Sequence, residues 1–154
     1  MIKIVLYQPE IPPNTGNIIR LCANTRTALH LIEPLGFDWD DKRLRRAGLD
    51  YREFADVARH PSLEGFMEAA GNPRLFGLST RAKRSYADAA FREGDALMFG
   101  PETRGLPDSV LKALGHEHCL RIPMQQDSRS LNLSNAAALV LYEALRQLEF
   151  PGLE

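Results

Sequence analysis

The side chains with the clearest capacity for chemistry are Asn17, Arg20 and Asn24, which recur at i, i+3 and i+7 of a predicted helix. At that spacing two amides and one guanidinium lie on the same face of the helix. A guanidinium stays protonated in proteins, so Arg20 could stabilise developing negative charge but would be a poor general base. The face is therefore either part of an active site or an ordinary solvated surface, and the spacing alone leaves both interpretations open.

Two loops carry a second set of candidate groups, because each directly follows an apolar strand. Gly100–Gly105 follows the predicted strand Ala96–Phe99, and its two glycines permit positive φ and a close approach of the backbone to a ligand. A polar loop after Pro123 leads into the longest periodic helix, Leu133–Leu148. Ligands of open α/β sheets bind beyond the carboxyl ends of the strands, where such loops lie. The alternative is that both loops are simple connections.

Several enzyme classes are excluded because the sequence lacks the motifs that they require. The segment after the first strand, YQPEIPPNTG, has prolines where a dinucleotide-binding domain needs G-x-G-x-x-G. The sequence contains no P-loop motif, no G-x-S-x-G for a serine nucleophile and no P-C-x-x-C for a zinc deaminase. His116 and His118 rarely make a metal site at their spacing, and we assign them to a loop and an edge strand. Cys22 and Cys119 predict no disulfide framework. We expect no metal and two reduced, partly buried thiols.

Bulk charge does not indicate a nucleic-acid partner, since 19 basic and 20 acidic side chains give a formal net charge of −1. Basic residues cluster locally in two places: Lys42, Arg43, Arg45 and Arg46, and then Arg81, Lys83 and Arg84. Each cluster is either a solvated face or part of a nucleic-acid surface. Pairing two subunits about a two-fold axis would enlarge the positive field.

Apolar runs alternate with helical patterns along the whole chain. Strands are predicted over Ile2–Tyr7, Ala28–Glu33, Phe54–Ala58, Leu75–Ser79, Ala96–Phe99 and Leu120–Pro123, with Tyr86–Phe91 unassigned. Helices are predicted from Asn14 or Thr15 to Asn24 and over 41–47, Leu63–Ala70, 107–114 and Leu133–Leu148. Pro12 and Pro13 are expected to delay the first helix, with Asn14 or Thr15 as its N-cap. The alternation predicts an α/β fold with a mainly parallel sheet and helices on both faces.

The length of 154 residues is that of one domain, so we expect a single domain over 1–154 with no separate RNA-binding domain. The apolar run near the start, within MIKIVLYQPE, is too short for a signal peptide or a membrane span. We therefore expect a cytoplasmic protein without a membrane partner.

Three segments resemble, in the same order, the three motifs of the SpoU branch of the SPOUT class of RNA methyltransferases. NTGNIIRLCANT (Asn14–Thr25) is similar to the first motif, and FGPETRGLP (Phe99–Pro107) is similar to the second. IPM followed by SLNLSNA, within 122–136, is similar to the third. With the segments between them, the resemblance covers nearly the whole chain. One position departs from the family, since Gln126 stands where a glycine is common.

The resemblance implies S-adenosylmethionine as the cofactor and 2′-O-methylation of an RNA ribose as the reaction. It also implies that the carboxyl-terminal third forms a deep trefoil knot and that two subunits pair through their first and last helices. The chain resembles most the small single-domain members that methylate the wobble nucleotide, a cytidine or 5-modified uridine, of leucine tRNAs. The alternatives are another tRNA or rRNA site, or a non-catalytic RNA-binding module on the same fold, which binding of S-adenosylmethionine would distinguish.

The resemblance also assigns roles to individual residues. The implied catalytic residues are Arg20, Asn17, Glu102 and Asn132. The implied cofactor-binding residues are Leu78, Thr80, Gly100, Gly105, Ile122, Ser130 and Leu131. The candidates for RNA binding are Lys42, Arg43, Arg46 and Arg84.

Overall fold

The computed structural model describes residues 1–40 and 56–154. In these ranges the chain forms seven strands: β1 Lys3–Tyr7, β2 Ala28–Ile32, β3 Val57–His60, β4 Leu75–Leu78, β5 Arg84–Ser85, β6 Ala96–Phe99 and β7 Cys119–Arg121. It also forms four α-helices: α1 Pro12–Thr25, α2 Leu63–Ala69, α3 Asp108–Leu114 and α4 Leu133–Gln147. The strands lie in one sheet in the order β3-β2-β1-β6-β4-β7-β5, and every neighbouring pair is parallel. The predicted α/β class with a parallel sheet is confirmed.

The strand order changes direction next to β1. The chain passes from β1 through β2 to β3 at one edge, and β4 to β7 then lie on the other side of β1 with β6 inserted between β1 and β4. Where the order reverses in this way, the connections leave opposite faces of the sheet and a crevice opens beyond the carboxyl ends of the strands. This crevice is the expected place for a ligand.

The apolar residues of the central strands alternate between two cores, one on each face of the sheet. Ile4 and Leu6 of β1 are buried under α1 and α4, whereas Val5 is buried under α2 and α3. Strand β6 repeats the pattern, with Leu97 in the first core and Met98 in the second. Strands buried on both faces appear in a sequence as continuous apolar runs, which is why these strands were predictable. The prediction of helices on both faces is confirmed.

Helix α1 begins at Pro12, so the prediction of an N-cap at Asn14 or Thr15 is wrong. Pro12 and Pro13 occupy the first helical positions, where no backbone N–H is needed and the φ of proline is already helical. Ile11 is the N-cap and is extended, as a residue before proline prefers to be. Asn14 therefore lies inside the first turn, and its side chain is available for tertiary contacts.

Two further predictions of local structure differ from the fold. Strand β3 is Val57–His60, where pairing with β2 sets Val57 beside Leu29 and extends the strand beyond the predicted end at Ala58; Phe54 and Ala55 of the predicted strand lie outside the described residues. His116–His118 forms a 3-10 turn before β7 rather than a loop and edge strand. The predicted helix 41–47 lies outside the described residues.

Cys22 and Cys119 are free and buried, and burial raises the pKa of the Cys22 thiol to about 12. In the described part of the chain, no helix combines the length and the apolar character that a membrane crossing requires.

Candidate functional site

A cavity of about 420 Å³ opens at the carboxyl ends of β4, β6 and β7, at the crevice of the sheet. Its size falls in the usual range for small-molecule sites, about 300–1,000 Å³. All the residues implied in cofactor binding line it: Leu78, Thr80, Gly100, Gly105, Ile122, Ser130 and Leu131. Glu102 and Asn132, two of the implied catalytic residues, line it as well. The folded chain thus brings together loops that are far apart in sequence.

The lining combines apolar side chains with a few polar groups. The apolar part is formed mainly by Leu78, Phe99, Ile122, Met124 and Leu133. Among the described residues that line the cavity, Glu102 is the only acidic one, and Arg81 and Arg104 carry the positive charges. This composition suits a ligand with a flat, partly apolar body and charged or hydroxylated substituents.

The Glu102 carboxylate lies at the start of α1 and accepts hydrogen bonds from it. Its Oε1 accepts from the backbone N–H of Glu10 at 2.8 Å, and its Oε2 accepts from that of Ile11 at 2.6 Å. Oε2 also accepts from Nδ2 of Asn14 at 3.3 Å. A carboxylate is favoured at a helix amino terminus, where the backbone dipoles leave partial positive charge. The loop after β6 is thereby attached to α1.

Asn14 extends this attachment to α4. Its Oδ1 accepts from Nδ2 of Asn132 at 3.0 Å, while Oδ1 of Asn132 caps α4 by accepting from the backbone N–H of Ser134 at 2.9 Å and of Asn135 at 3.3 Å. Asn14 is only 6% exposed, so its amide is a buried group with both ends satisfied. Glu102, Asn14 and Asn132 form one hydrogen-bonded chain, called the polar bridge below, across the three motif-like segments.

Asn14 lines the cavity, and sequence reasoning missed it as a site residue. The residue type suited a helix cap, and the local pattern favoured that role. The available signal was its position at the start of NTGNIIR, the segment that resembles the first family motif.

The two glycines of the loop after β6 serve different purposes. A Cβ on Gly100 would lie 2.3 Å from the backbone nitrogen of Leu106 and 2.4 Å from the carbonyl carbon of Gly105. Gly105 instead has a φ of +70° with open space around it. The close approach at Gly100 is therefore to the protein's own backbone, which folds the loop back on itself and forms one wall of the cavity.

Arg20 and Asn17 do not belong to this cavity wall. Both are exposed on α1, and neither is among the described residues that line the cavity. The folded chain therefore places Glu102 and Asn132 at the cavity but leaves the other two implied catalytic residues on the surface of α1.

The basic residues that were candidates for RNA binding, together with those at the cavity, fall into three groups. Lys42, Arg43 and Arg46 lie outside the described residues. Arg84 lies on β5 and donates to the carbonyl oxygens of Glu117 and Asp88. Arg81 and Arg104 are at the cavity itself, where Arg81 donates to the Asp108 carboxylate and the Leu106 carbonyl. Sequence reasoning placed Arg81 in a basic cluster but did not single out Arg104.

The described lining contains no histidine, cysteine or lysine, and its one carboxylate already accepts three hydrogen bonds. The cavity is thus built to bind and position rather than to supply a nucleophile with an adjacent base. In residues 1–40 and 56–154, no three His, Cys, Asp or Glu side chains are grouped so that they could hold a metal ion.

Comparison with known proteins gives consistent matches over almost the whole chain. The SpoU rRNA methylase family matches residues 1–142. The tRNA (cytidine(34)-2′-O)-methyltransferase of Escherichia coli K12 is 62% identical over 152 residues, which cover 99% of this chain and 97% of that protein.

Solved structures agree with this match. One solved structure, described as giving insights into the 2-OH methylation of C/U34 on tRNA, has a chain that is 49% identical to this one. The TM-score is 0.87, and the match covers 97% of each chain. The SpoU methyltransferase AviRb of Streptomyces viridochromogenes, in complex with AdoMet, is 26% identical with a TM-score of 0.80, covering 96% of this chain and 57% of AviRb.

Proposed function

This chain belongs to the SpoU rRNA methylase family, and we propose that it transfers a methyl group from S-adenosylmethionine to the ribose 2′-hydroxyl of nucleotide 34 of tRNA. The family is the one predicted from the three motif-like segments. Nucleotide 34 is the wobble position, and the proposed substrate base is cytidine or a 5-modified uridine. By the resemblance described above, the substrates are leucine isoacceptors.

The observation that carries this proposal is the polar bridge. It joins the three motif-like segments around a single cavity. Its two contacts link residues that are far apart in sequence: Asn14 and Glu102 are separated by 88 residues, and Asn14 and Asn132 by 118. Segments that only resembled a family by chance would have no reason to meet at one site.

The cavity suits S-adenosylmethionine, which supplies a methyl group on a positively charged sulfur when it is bound. Leu78, Ile122 and Leu131 would contact the adenine in the apolar part of the cavity. Thr80, Ser130 and the backbone at Gly100 and Gly105 would hold the polar parts. We place the cofactor in a bent form between the loops that end at Thr80, Gly105 and Asn132.

The chain has two tasks in the transfer: to align the ribose oxygen with the methyl carbon and to deal with one proton. The bound cofactor would supply the methyl group and keep the electron pair of the broken carbon–sulfur bond on its sulfur, while the proton of the attacking hydroxyl would pass to solvent water. We assign Arg20 to stabilising the charge on the attacking oxygen and to binding a neighbouring phosphate, because a guanidinium binds phosphate bidentately and does not readily give up its own proton. Glu102, Asn132 and Asn17 would shape the site around these groups.

The active form in this proposal is a homodimer of one-domain subunits in the cytoplasm, paired through α1 and α4. Two exposed apolar residues on α4, Leu139 and Tyr142, and the nearby Phe150 support that interface. Because α1 belongs to it, Arg20 would lie close to the partner subunit. The carboxyl-terminal third would carry the family's trefoil knot. Lys42, Arg43, Arg46 and Arg84 would contact the tRNA.

A methylation assay tests the function directly. The purified protein is incubated with radiolabelled S-adenosylmethionine and tRNA from cells in which the gene is deleted, and the labelled nucleotide is mapped. Label at the 2′-oxygen of nucleotide 34 in leucine tRNAs is expected. A purified protein that neither binds S-adenosylmethionine nor methylates any tRNA would instead favour the non-catalytic RNA-binding module.

A further inference from the structure

The loop between β1 and α1 and the loop after β6 hold each other through a pair of reciprocal contacts. In one direction, the Glu102 carboxylate accepts from the backbone N–H groups of Glu10 and Ile11. In the other, Oε1 of Glu10 accepts from the backbone N–H of Thr103 at 2.9 Å and from its hydroxyl at 2.8 Å. The first contact uses a residue of the cavity wall, whereas Glu10 lies behind that wall.

Thr103 lines the cavity, and its backbone N–H lies in a tight turn of the loop. Within that turn, the N–H of Gly105 donates to the carbonyl of Pro101 at 2.8 Å and the N–H of Arg104 donates to it at 3.3 Å. The turn satisfies these two donors internally, while the N–H of Thr103 is satisfied by Glu10. Glu10 therefore determines how the turn that follows Glu102 is oriented against the rest of the cavity wall.

The backbone at Pro9 and Glu10 packs closely against a third loop. Gly36 donates its N–H to the carbonyl of Pro9 at 2.9 Å, and a Cβ on Gly36 would lie 2.9 Å from Cα of Glu10. The side chain of Glu10 is 26% exposed, so much of it is enclosed. The hydrogen bonds from Thr103 lower the pKa of Glu10, so the carboxylate stays charged at any pH suitable for an assay.

We infer that Glu10 is a positioning residue that sets the affinity for S-adenosylmethionine by holding the turn at Thr103 against the cavity, an inference that rests on the proposed function. Glu10 touches neither the cavity nor the reacting atoms. It acts through Thr103 and, by its own backbone N–H, through Glu102. Its loss should loosen the cofactor wall while leaving the sheet and both cores intact.

The test compares Glu10→Ala and Glu10→Gln with Glu68→Ala, which removes an exposed carboxylate from α2 on the other face of the sheet. Calorimetry measures S-adenosylmethionine binding, and thermal unfolding measures stability. Glu10→Ala should weaken cofactor binding about tenfold, as expected for losing bonds to a charged acceptor. Glu10→Gln should stay within about threefold of wild type, since its amide oxygen can still accept both bonds from Thr103. In the methylation assay, the KM for the cofactor should rise in Glu10→Ala while kcat changes less.

The inference would be overturned if Glu10→Ala bound the cofactor as tightly as Glu68→Ala does. It would also be overturned if Glu10→Gln bound the cofactor no more tightly than Glu10→Ala. If Glu10→Ala does not fold, Thr103→Val removes only the hydroxyl bond. It should weaken cofactor binding by a similar factor in the wild-type and Glu10→Gln backgrounds, because the amide oxygen of the glutamine still accepts from the Thr103 hydroxyl. An unchanged affinity in Thr103→Val would contradict the inference. A wild-type protein that binds the cofactor but methylates no tRNA would contradict the proposed function alone.

Discussion

Arg20 is the residue at which two roles of a positive charge in methyl transfer can be separated by experiment. We expect Arg20→Ala to lose about 100- to 1,000-fold in turnover, the usual loss for one preorganised donor at developing negative charge. Fold and S-adenosylmethionine binding should be unchanged, because Arg20 is exposed and is not among the described residues of the cavity wall. Arg92→Ala, another exposed arginine, is the control and should keep full turnover.

The lysine variant distinguishes electrostatic stabilisation from proton abstraction. Arg20→Lys keeps the charge but loses the planar fork and can deprotonate more readily. A rate that rises with pH through the pKa of the new lysine would support a general base, against our assignment. If Arg20→Ala keeps more than about a tenth of wild-type turnover, far above the expected loss, Arg20 is only a surface residue.

Gly100 is predicted to be necessary for the shape of the cavity wall. In Gly100→Val the added Cβ would meet the backbone of Leu106 at 2.3 Å, so the loop has to open. We expect cofactor binding in calorimetry to fall below detection. Gly94→Val is the control: at Gly94 a valine would be strained by the φ of +90° but would have open space around it, and the residue lies before β6, away from the cavity. That control should lose stability and keep cofactor affinity; the reverse pattern would show that the cavity is misplaced.

At the scale of an element, the amino terminus of α4 combines a helix cap with a site contact. Asn132→Ala removes the cap and the bond to Asn14, so it should cost about 1 kcal/mol in unfolding free energy and also weaken cofactor binding. Ser62→Ala removes the cap of α2 and should cost about as much stability with no effect on cofactor binding.

Asn132→Asp keeps an acceptor for the cap but loses the donor to Asn14. It should therefore approach wild type in stability and resemble Asn132→Ala in affinity, and equal affinity for wild type and Asn132→Asp would count against the polar bridge.

The pairing of β2 with β3 carries a pH-dependent contact. Nδ1 of His30 lies 2.9 Å from Nε2 of His60, and both rings pack against Phe66 of α2. The pKa of His30 is lowered from its ordinary value of 6.5 to about 4. Burial is the largest cause, and the charges of His60 and Lys3 add to it. Burial also lowers the pKa of His60. The unfolded chain therefore binds protons more readily than the folded protein as the pH falls from about 6.5 towards 4.

The expected consequence is a free energy of unfolding that decreases with falling pH over that interval. Denaturant unfolding at a series of pH values gives the free energy of unfolding as a function of pH. The slope of this free energy against pH should be smaller for His30→Leu than for wild type. His116→Leu, which removes an exposed histidine from the turn before β7, should keep the wild-type slope. Equal slopes for His30→Leu and wild type would show that this pair does not control the acid response.

At the scale of the whole molecule, the proposed dimer makes a separate prediction. Leu139 and Tyr142 are 45% and 46% exposed on α4, and the Tyr142 ring lies 6.4 Å from that of Phe150. A stable interface here should bury at least about 1,000 Å². The double variant Leu139→Glu with Tyr142→Glu should sediment as a monomer and lose methylation. Lys112→Glu makes the same change in net charge on α3, across the sheet, and should remain dimeric. An active wild-type monomer at assay concentration would contradict the dimer.

The sequence by itself determined the elements and the family. Continuous apolar runs such as Ile4 to Leu6 indicated buried parallel strands, and the spacing of Leu133, Ala137 and Val140 indicated α4, because both signals are local and periodic. The family resemblance also implied seven cofactor-binding residues that all line the cavity, of which five lie in the motif-like segments and two, Leu78 and Thr80, lie at or just after the end of β4.

Only the tertiary structure decided how these elements meet. The insertion of β6 between β1 and β4 depends on strand pairing between segments far apart in the chain, which no local pattern records. The buried position of Asn14 depends on a hydrogen-bond acceptor, Glu102, that lies 88 residues further along the chain. Gly100 is required because the loop folds back onto Leu106, a contact between backbone atoms that appears only in the packed chain. Hydrogen bonds and close contacts of this kind depend on three-dimensional distance, whereas the sequence records only order and spacing.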